Sequence, residues 1–190
     1  MNIAIFASGN GSNAECIAKH FSQNDNVNIK LILTNKPDAY VIKRAENLNI
    51  PCVVFSNAEL KDKDGILKIL KKNNIDLIIL AGFLLLIPDF IIDNYPDKII
   101  NIHPALLPKF GGKGMYGMNV HKAVIDAKEK ESGITIHYLN DSYDEGKIIS
   151  KINCKISDDD TPESLAEKIH ALEYKYYPIV IDDLIKKMNL

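Results

Sequence analysis

A mostly parallel α/β sheet covered by helices on both faces is the architecture this chain's hydrophobic pattern predicts. Three observations carry that expectation. Short β-branched runs recur through the first hundred residues and are apolar throughout rather than alternating, which is how strands read when helices cover both sides of their sheet. Amphipathic segments separate these runs, as βαβ connections require. Beyond residue 102 the pattern changes to two strand-like runs joined by a polar segment, which predicts an antiparallel addition to the sheet.

The first strand is predicted over residues 3–7, and the next four over 27–33, 52–55, 77–80 and 99–102. Helices fit residues 13–21, 40–48 and 64–73. In the last of these Ile66, Leu67, Ile69 and Leu70 make one side and lysines the other, the stripe of a helix lying on a sheet. A fourth helix is read at 120–129. Strands at 133–139 and 147–156 follow, joined by residues 140–146. Asp160-Thr161-Pro162-Glu163 then opens a final helix: proline comes early, acids fill the first turn, and the apolar positions Leu165, Ile169 and Leu172 follow. No linker, repeat or low-complexity tract interrupts the pattern, so residues 1–190 read as a single domain.

Composition narrows the function classes. The chain has 190 residues, enough for one sizeable core. A net charge of −2 argues against a dedicated nucleic-acid binder. Arg44 is the only arginine, so a phosphate site must rely on lysine or backbone N–H groups rather than a guanidinium fork. Cys16, Cys52 and Cys154 are odd in number and far apart, which suggests buried thiols in a reducing cytosol. The N-terminus lacks the basic region of a signal peptide. The apolar run 75–92 is broken by Asp76, Gly82, Pro88 and Asp89, too often for a membrane span. No cluster of His, Cys and acidic residues has metal-ligand spacing.

Three stretches could carry chemistry. Ser8-Gly9-Asn10-Gly11-Ser12-Asn13 lies between the first strand and the first helix, where backbone N–H groups and the helix dipole favour an anion. It matches neither a G-x-G-x-x-G fingerprint nor a Walker loop, and a capped helix start would also explain it. Asn101-Ile102-His103-Pro104 ends a core strand with two polar side chains on one face. An amide donor beside an imidazole suits acyl transfer: one stabilises an oxyanion, the other moves a proton. A turn cap and a satisfied surface histidine are the plainer reading. The acidic segment from Asp141 to Gly146 is ordinary turn chemistry, but a carboxylate that reached the imidazole would favour its cation and raise its pKa. His121 and His137 read as structural.

Taken in order, SGNGSN, LAGF, NIHPALLPKF and the Asp144-Glu145-Gly146 loop resemble the folate-dependent phosphoribosylglycinamide formyltransferases of purine synthesis. The likeness spans nearly the whole chain. It implies the Rossmann-like formyltransferase fold, with residues 1–100 as a nucleotide-binding half and 101–190 as a catalytic and folate-binding half. The implied activity is transfer of the formyl group of 10-formyltetrahydrofolate to glycinamide ribonucleotide, without metal, in the cytoplasm, by a monomer or homodimer. By position, Asn101, His103 and Asp144 match the family's catalytic trio, and Gly11, Ser12, Asn13 and Glu173 its ribonucleotide contacts. Leu84, Leu85, Leu86 and Ile87 match the pterin pocket, to which Asn101, Asn140 and Asp141 also contribute. Leu85 stands where the best-known members carry arginine. The basic residue expected before the helix at 64–73 falls among Lys61, Asp62 and Lys63, and the glycine-rich segment 111–117 is longer than in those members. Two other readings remain open: a formyltetrahydrofolate deformylase, although a first strand starting at Asn2 leaves no room for that enzyme's usual N-terminal domain, and a nucleotide-binding module without catalysis.

Overall fold

Strand β1 (Asn2–Phe6) is the middle of the parallel array, and Ile3, Ala4, Ile5 and Phe6 on it are all inaccessible to solvent. The computed structural model describes residues 1–140 and 144–188; Asp141, expected in the folate loop, falls outside them. Strands β2 (Asn28–Thr34) and β4 (Leu77–Leu80) flank β1, both parallel to it. Strand β3 (Cys52–Val54) adds beyond β2, and β5 (Ile99–His103) beyond β4. Strands β6 (Glu131–Tyr138) and β7 (Ile148–Lys155) form an antiparallel pair. The hydrogen-bonded order is β3-β2-β1-β4-β5-β6-β7. This is the expected fold class: an open, mostly parallel α/β sheet with antiparallel strands added late in the chain.

The helices are α1 (Ser12–Phe21), α2 (Val41–Asn47), α3 (Asn57–Lys61), α4 (Ile66–Lys72), α5 (Asp89–Asn94), α6 (Met118–Asp126) and α7 (Pro162–Met188). Two were not anticipated. Helix α3 has only five residues, but Ser56 and Glu59 build a capping box around its start. That Ser-x-x-Glu spacing is a readable helix signal. Helix α5 opens after Pro88 inside the apolar run that had looked merely broken. The helix expected at 120–129 sits earlier, because Lys128 adopts φ 53 and closes its last turn. No described helix is long and apolar enough to cross a membrane.

Met1–Asn101 and Ile102–Leu190 form two compact units. In the first, Phe6 and Leu80 are register partners, so β1 and β4 end level. Ser8 ties together the segments leaving the strands. Its N–H donates to the Gly82 carbonyl at 3.0 Å, its hydroxyl donates to Asn35 Oδ1 at 2.7 Å, and Oγ accepts from the Leu84 N–H at 3.0 Å. The glycine turn and the Leu84 segment therefore share one end of the parallel strands, the carboxyl end where α/β sheets bind ligands. In the second unit α7 packs against α6, β6 and β7. It runs through a buried Pro178, which removes one intrahelical hydrogen bond.

Candidate active site

The polar centre of the second unit is built on strand ends. His103, the last residue of β5, is only 3% exposed. Its Nδ1 faces Asp144 Oδ2 at 3.4 Å, and its Nε2 lies 2.8 Å from the carbonyl oxygen of Phe110. The other carboxylate oxygen, Oδ1, lies 3.6 Å from Nε2 of His137, a side chain with no solvent exposure. The Gly112 N–H donates to Asp144 Oδ2 at 2.9 Å. One carboxylate thus bridges two buried imidazoles and accepts a backbone hydrogen bond. Asp144 holds φ 57, a left-handed conformation that short polar side chains tolerate better than most.

The charges at this centre follow from burial and contact. Burial holds the His103 imidazole below its ordinary value. The Asp144 charge and the Phe110 carbonyl pull it up, and His137 pushes it further down, without changing the outcome. Asp144 does act upward on this imidazole, as expected, but desolvation outweighs it and the net shift is downward. For Asp144 burial acts upward, yet the hydrogen bond with His137, the His103 charge and the Gly112 N–H win and hold its carboxyl below the usual value. At neutral pH the pair is therefore a neutral imidazole beside a carboxylate. A carbonyl can only accept, so the contact with Phe110 places a hydrogen on Nε2.

The loop after β5 is pinned from β6 and β7. Thr135 Oγ donates to the Ala105 carbonyl at 2.7 Å and accepts from the Leu107 N–H at 3.0 Å. Lys151 Nζ donates to the Leu107 carbonyl at 2.5 Å. Asn101 stands two residues before His103 on β5 and so shares its face.

In the first unit the glycine turn leads directly into α1. Gly11 is the N-cap of α1 at φ 74, and no side chain caps the helix. Most caps are extended and carry a hydroxyl or amide acceptor; here a left-handed glycine stands in that place instead. A Cβ at Gly11 would overlap the Val41 side chain of α2. Helix α2 grips the turn at further points. The Val41 N–H donates to the Gly9 carbonyl at 3.1 Å; Arg44 donates to the Asn10 carbonyl at 2.8 Å and to Asn10 Oδ1 at 3.0 Å. Arg44 also pairs with Glu15 and lies over the Tyr40 ring. The only arginine thus holds the turn from behind.

The other expected residues are placed as follows. Ser12 opens α1, and Asn13, on its first turn, is buried. Leu84 and Leu86 are exposed at 52% and 42%, Leu85 is half-buried, and Ile87 belongs to the core. Asn140 is half-buried, two residues past the end of β6. Glu173 is buried on α7, where its charge adds to burial in raising the Tyr177 phenol well above its ordinary value. His121 on α6 is also buried. Desolvation first, then His170 and His103, lower it to about 4.

The sequence reads His137 as structural, and the structure sets it against Asp144. A signal for that contact was available: Thr135 and His137 are polar residues two apart, alternating with Ile134 and Ile136, the same pattern that singled out Asn101 and His103. The Phe110 carbonyl and Gly112 N–H were not readable, because backbone groups leave no mark on side-chain pattern.

The chain resembles known proteins along its length. A phosphoribosylglycinamide formyltransferase of Bacillus subtilis is 40% identical over 191 residues, covering 98% of this chain and 95% of that protein. A chloroplastic phosphoribosylglycinamide formyltransferase of Arabidopsis thaliana is also 40% identical, over 94% of this chain, which spans 63% of that protein's length. The crystal structure of phosphoribosylglycinamide formyltransferase from Bacillus halodurans superposes with a TM-score of 0.89 at 34% identity, covering 99% of this chain and 97% of that one. The formyl transferase family model matches residues 1–181, and on that extent the chain belongs to the formyl transferase family.

Proposed function

We propose that this protein transfers the formyl group of 10-formyltetrahydrofolate to the amine of glycinamide ribonucleotide. The single observation that carries the chemistry is the Asp144 carboxylate bridging buried His103 and His137. The names of the relatives support the choice of substrates. In this reading the amine attacks the formyl carbon and charge develops on the formyl oxygen. The Asn101 amide donates to that oxyanion, a contribution on the order of 3 kcal/mol for one donor. His103, neutral at rest, takes up the proton released by the attacking nitrogen. The imidazolium so formed is stabilised by Asp144 at 3.4 Å. The proton then passes to N10 of the folate as the bond from the formyl carbon to N10 breaks, leaving tetrahydrofolate and the formylated amide.

Binding roles follow the same reading. Gly11, Ser12 and Asn13 take the phosphate at the start of α1, and Glu173 contacts the ribonucleotide. Leu84, Leu85, Leu86 and Ile87 are assigned to the pterin by the same likeness, the two exposed leucines being the natural apolar contacts, and Asn140 is assigned to the folate likewise. A spectrophotometric assay of 10-formyltetrahydrofolate consumption, with and without glycinamide ribonucleotide, decides the matter. Turnover that requires the ribonucleotide supports the transferase. Turnover without it makes the protein a deformylase, and none at all makes it a binding module.

A further inference from the structure

The Ser8 hydroxyl serves a segment other than its own. Strands β1 and β4 run in register to their ends: the Ala81 N–H donates to the Phe6 carbonyl at 2.8 Å, and the Ser8 N–H to the Gly82 carbonyl at 3.0 Å. There the ladder stops. The chain after β1 becomes the glycine turn, and Gly82, at φ 74, turns the other chain aside. Past that point the Leu84 N–H meets no backbone carbonyl of β1, and an N–H shut off from water without a partner is costly. It donates to Ser8 Oγ at 3.0 Å. The hydroxyl's own hydrogen goes to Asn35 Oδ1 at 2.7 Å, on the residue that follows β2. With its hydrogen committed there, Oγ keeps a lone pair for Leu84. Ser8 is buried, so this relay is sheltered from water.

The same segment is held from its other side. The Phe83 ring meets Phe6 edge-on, 5.3 Å between centroids, and lies 6.0 Å from Phe55. Residues 82–84 are thus fixed between an aromatic cluster and a hydroxyl. Leu84 and Leu86 are nevertheless exposed, while Leu85 is half-buried and Ile87 belongs to the core. On a loose loop, exposed leucines fold back against the protein. On a pinned backbone they stay out and form ready apolar surface, which lowers the ordering cost of binding a flat apolar ligand. We propose that Ser8, although it stands in the turn assigned to the ribonucleotide, is a positioning residue for the folate. Its hydroxyl fixes the Leu84 backbone, and with it the apolar wall that Leu84 and Leu86 offer the pterin, while Asn35 holds the hydroxyl in orientation. This rests on the proposed function, which gives residues 84–87 to the pterin.

Initial rates of Ser8→Ala, with each substrate varied in turn, separate the two roles. KM for 10-formyltetrahydrofolate should rise about tenfold, the scale of one part-buried N–H losing its partner. The kcat and the KM for glycinamide ribonucleotide should stay within about twofold of wild type. Asn35→Ala frees the hydroxyl to turn and should raise the folate KM by a smaller factor, about threefold. Amide hydrogen exchange followed by NMR reads the contact directly. The Leu84 amide should be protected in the wild type and, relative to the β1 amides, exchange at least tenfold faster in Ser8→Ala. An unchanged folate KM overturns the proposal. So does a ribonucleotide KM that rises as much as the folate KM, which would make Ser8 a support of its own turn. If Ser8→Ala does not fold, an unprotected Leu84 amide in the wild type, or an unchanged folate KM in Asn35→Ala, overturns it instead. Wild-type turnover that does not need the ribonucleotide sinks the functional reading alone, since the folate KM of Ser8→Ala still judges the positioning role; no wild-type turnover sinks both.

Discussion

Replacing Asp144 by Asn keeps the shape of the side chain and removes its charge. At 3.4 Å a carboxylate and an imidazolium attract by about 5 kcal/mol at an effective dielectric of 20. His103 and Asp144 side chains are 4% and 13% exposed, so solvent screening takes little of this. The Asn amide dipole and a retained bond from Gly112 return part of it. A loss of about 3 kcal/mol is therefore expected in the step where His103 becomes charged, which is roughly a hundredfold in kcat. The direction of the pH effect is also fixed. Asp144 raises the His103 pKa against burial, so removing the charge lowers it further. A base must be unprotonated, so activity falls as pH drops through that pKa. The acid limb of kcat/KM should lie below the ordinary imidazole range in the wild type and move lower still in Asp144→Asn, while the plateau drops. Steady-state rates from pH 4.5 to pH 8 measure both. A plateau within threefold of wild type, or an acid limb shifted upward, refutes the pairing.

Other expectations follow from geometry already described. His121 is buried and titrates at about 4, so the unfolded chain binds its proton first as pH falls from 7. Stability should drop by about 3 kcal/mol between pH 7 and pH 4 from this group, and His121→Phe should remove that slope in urea unfolding. Gly11→Ala should raise KM for the ribonucleotide at least tenfold with kcat little changed, because both φ 74 and Val41 oppose a side chain. Arg44→Gln should raise the same KM by a smaller factor, since it loosens Asn10 but leaves Gly11 in place; an unchanged KM means the guanidinium does not hold the turn. Ser56→Ala should cost about 1 kcal/mol in chemical denaturation by opening the capping box of α3.

The fold was largely legible because its strands are apolar on both faces, a pattern few other architectures produce. Positions within the site were legible where chemistry interrupts that pattern: Asn101 and His103 stand out on β5 for this reason. His137 met the same criterion and was passed over, because a lone buried histidine is more often structural. Asp144 could not be brought to His103 by sequence pattern. The two are joined by a left-handed turn and a backbone N–H, and neither has side-chain periodicity. The protonation state was also hidden, since it depends on a balance between burial and charge that only coordinates supply. Helices α3 and α5 escaped because five or six residues are too few to show a helical stripe.

The contact between Gly11 and Val41 has a consequence for how this turn can change over generations. Shrinking Val41 would make room for a side chain at residue 11, but the left-handed backbone angle there would still cost about 1–2 kcal/mol. The dependence is therefore lopsided. Position 41 can drift among small and branched residues while 11 stays glycine, whereas a change at 11 needs both a smaller residue at 41 and a side chain that tolerates a positive φ. A search for paired changes would see little at one of the closest contacts in the first unit.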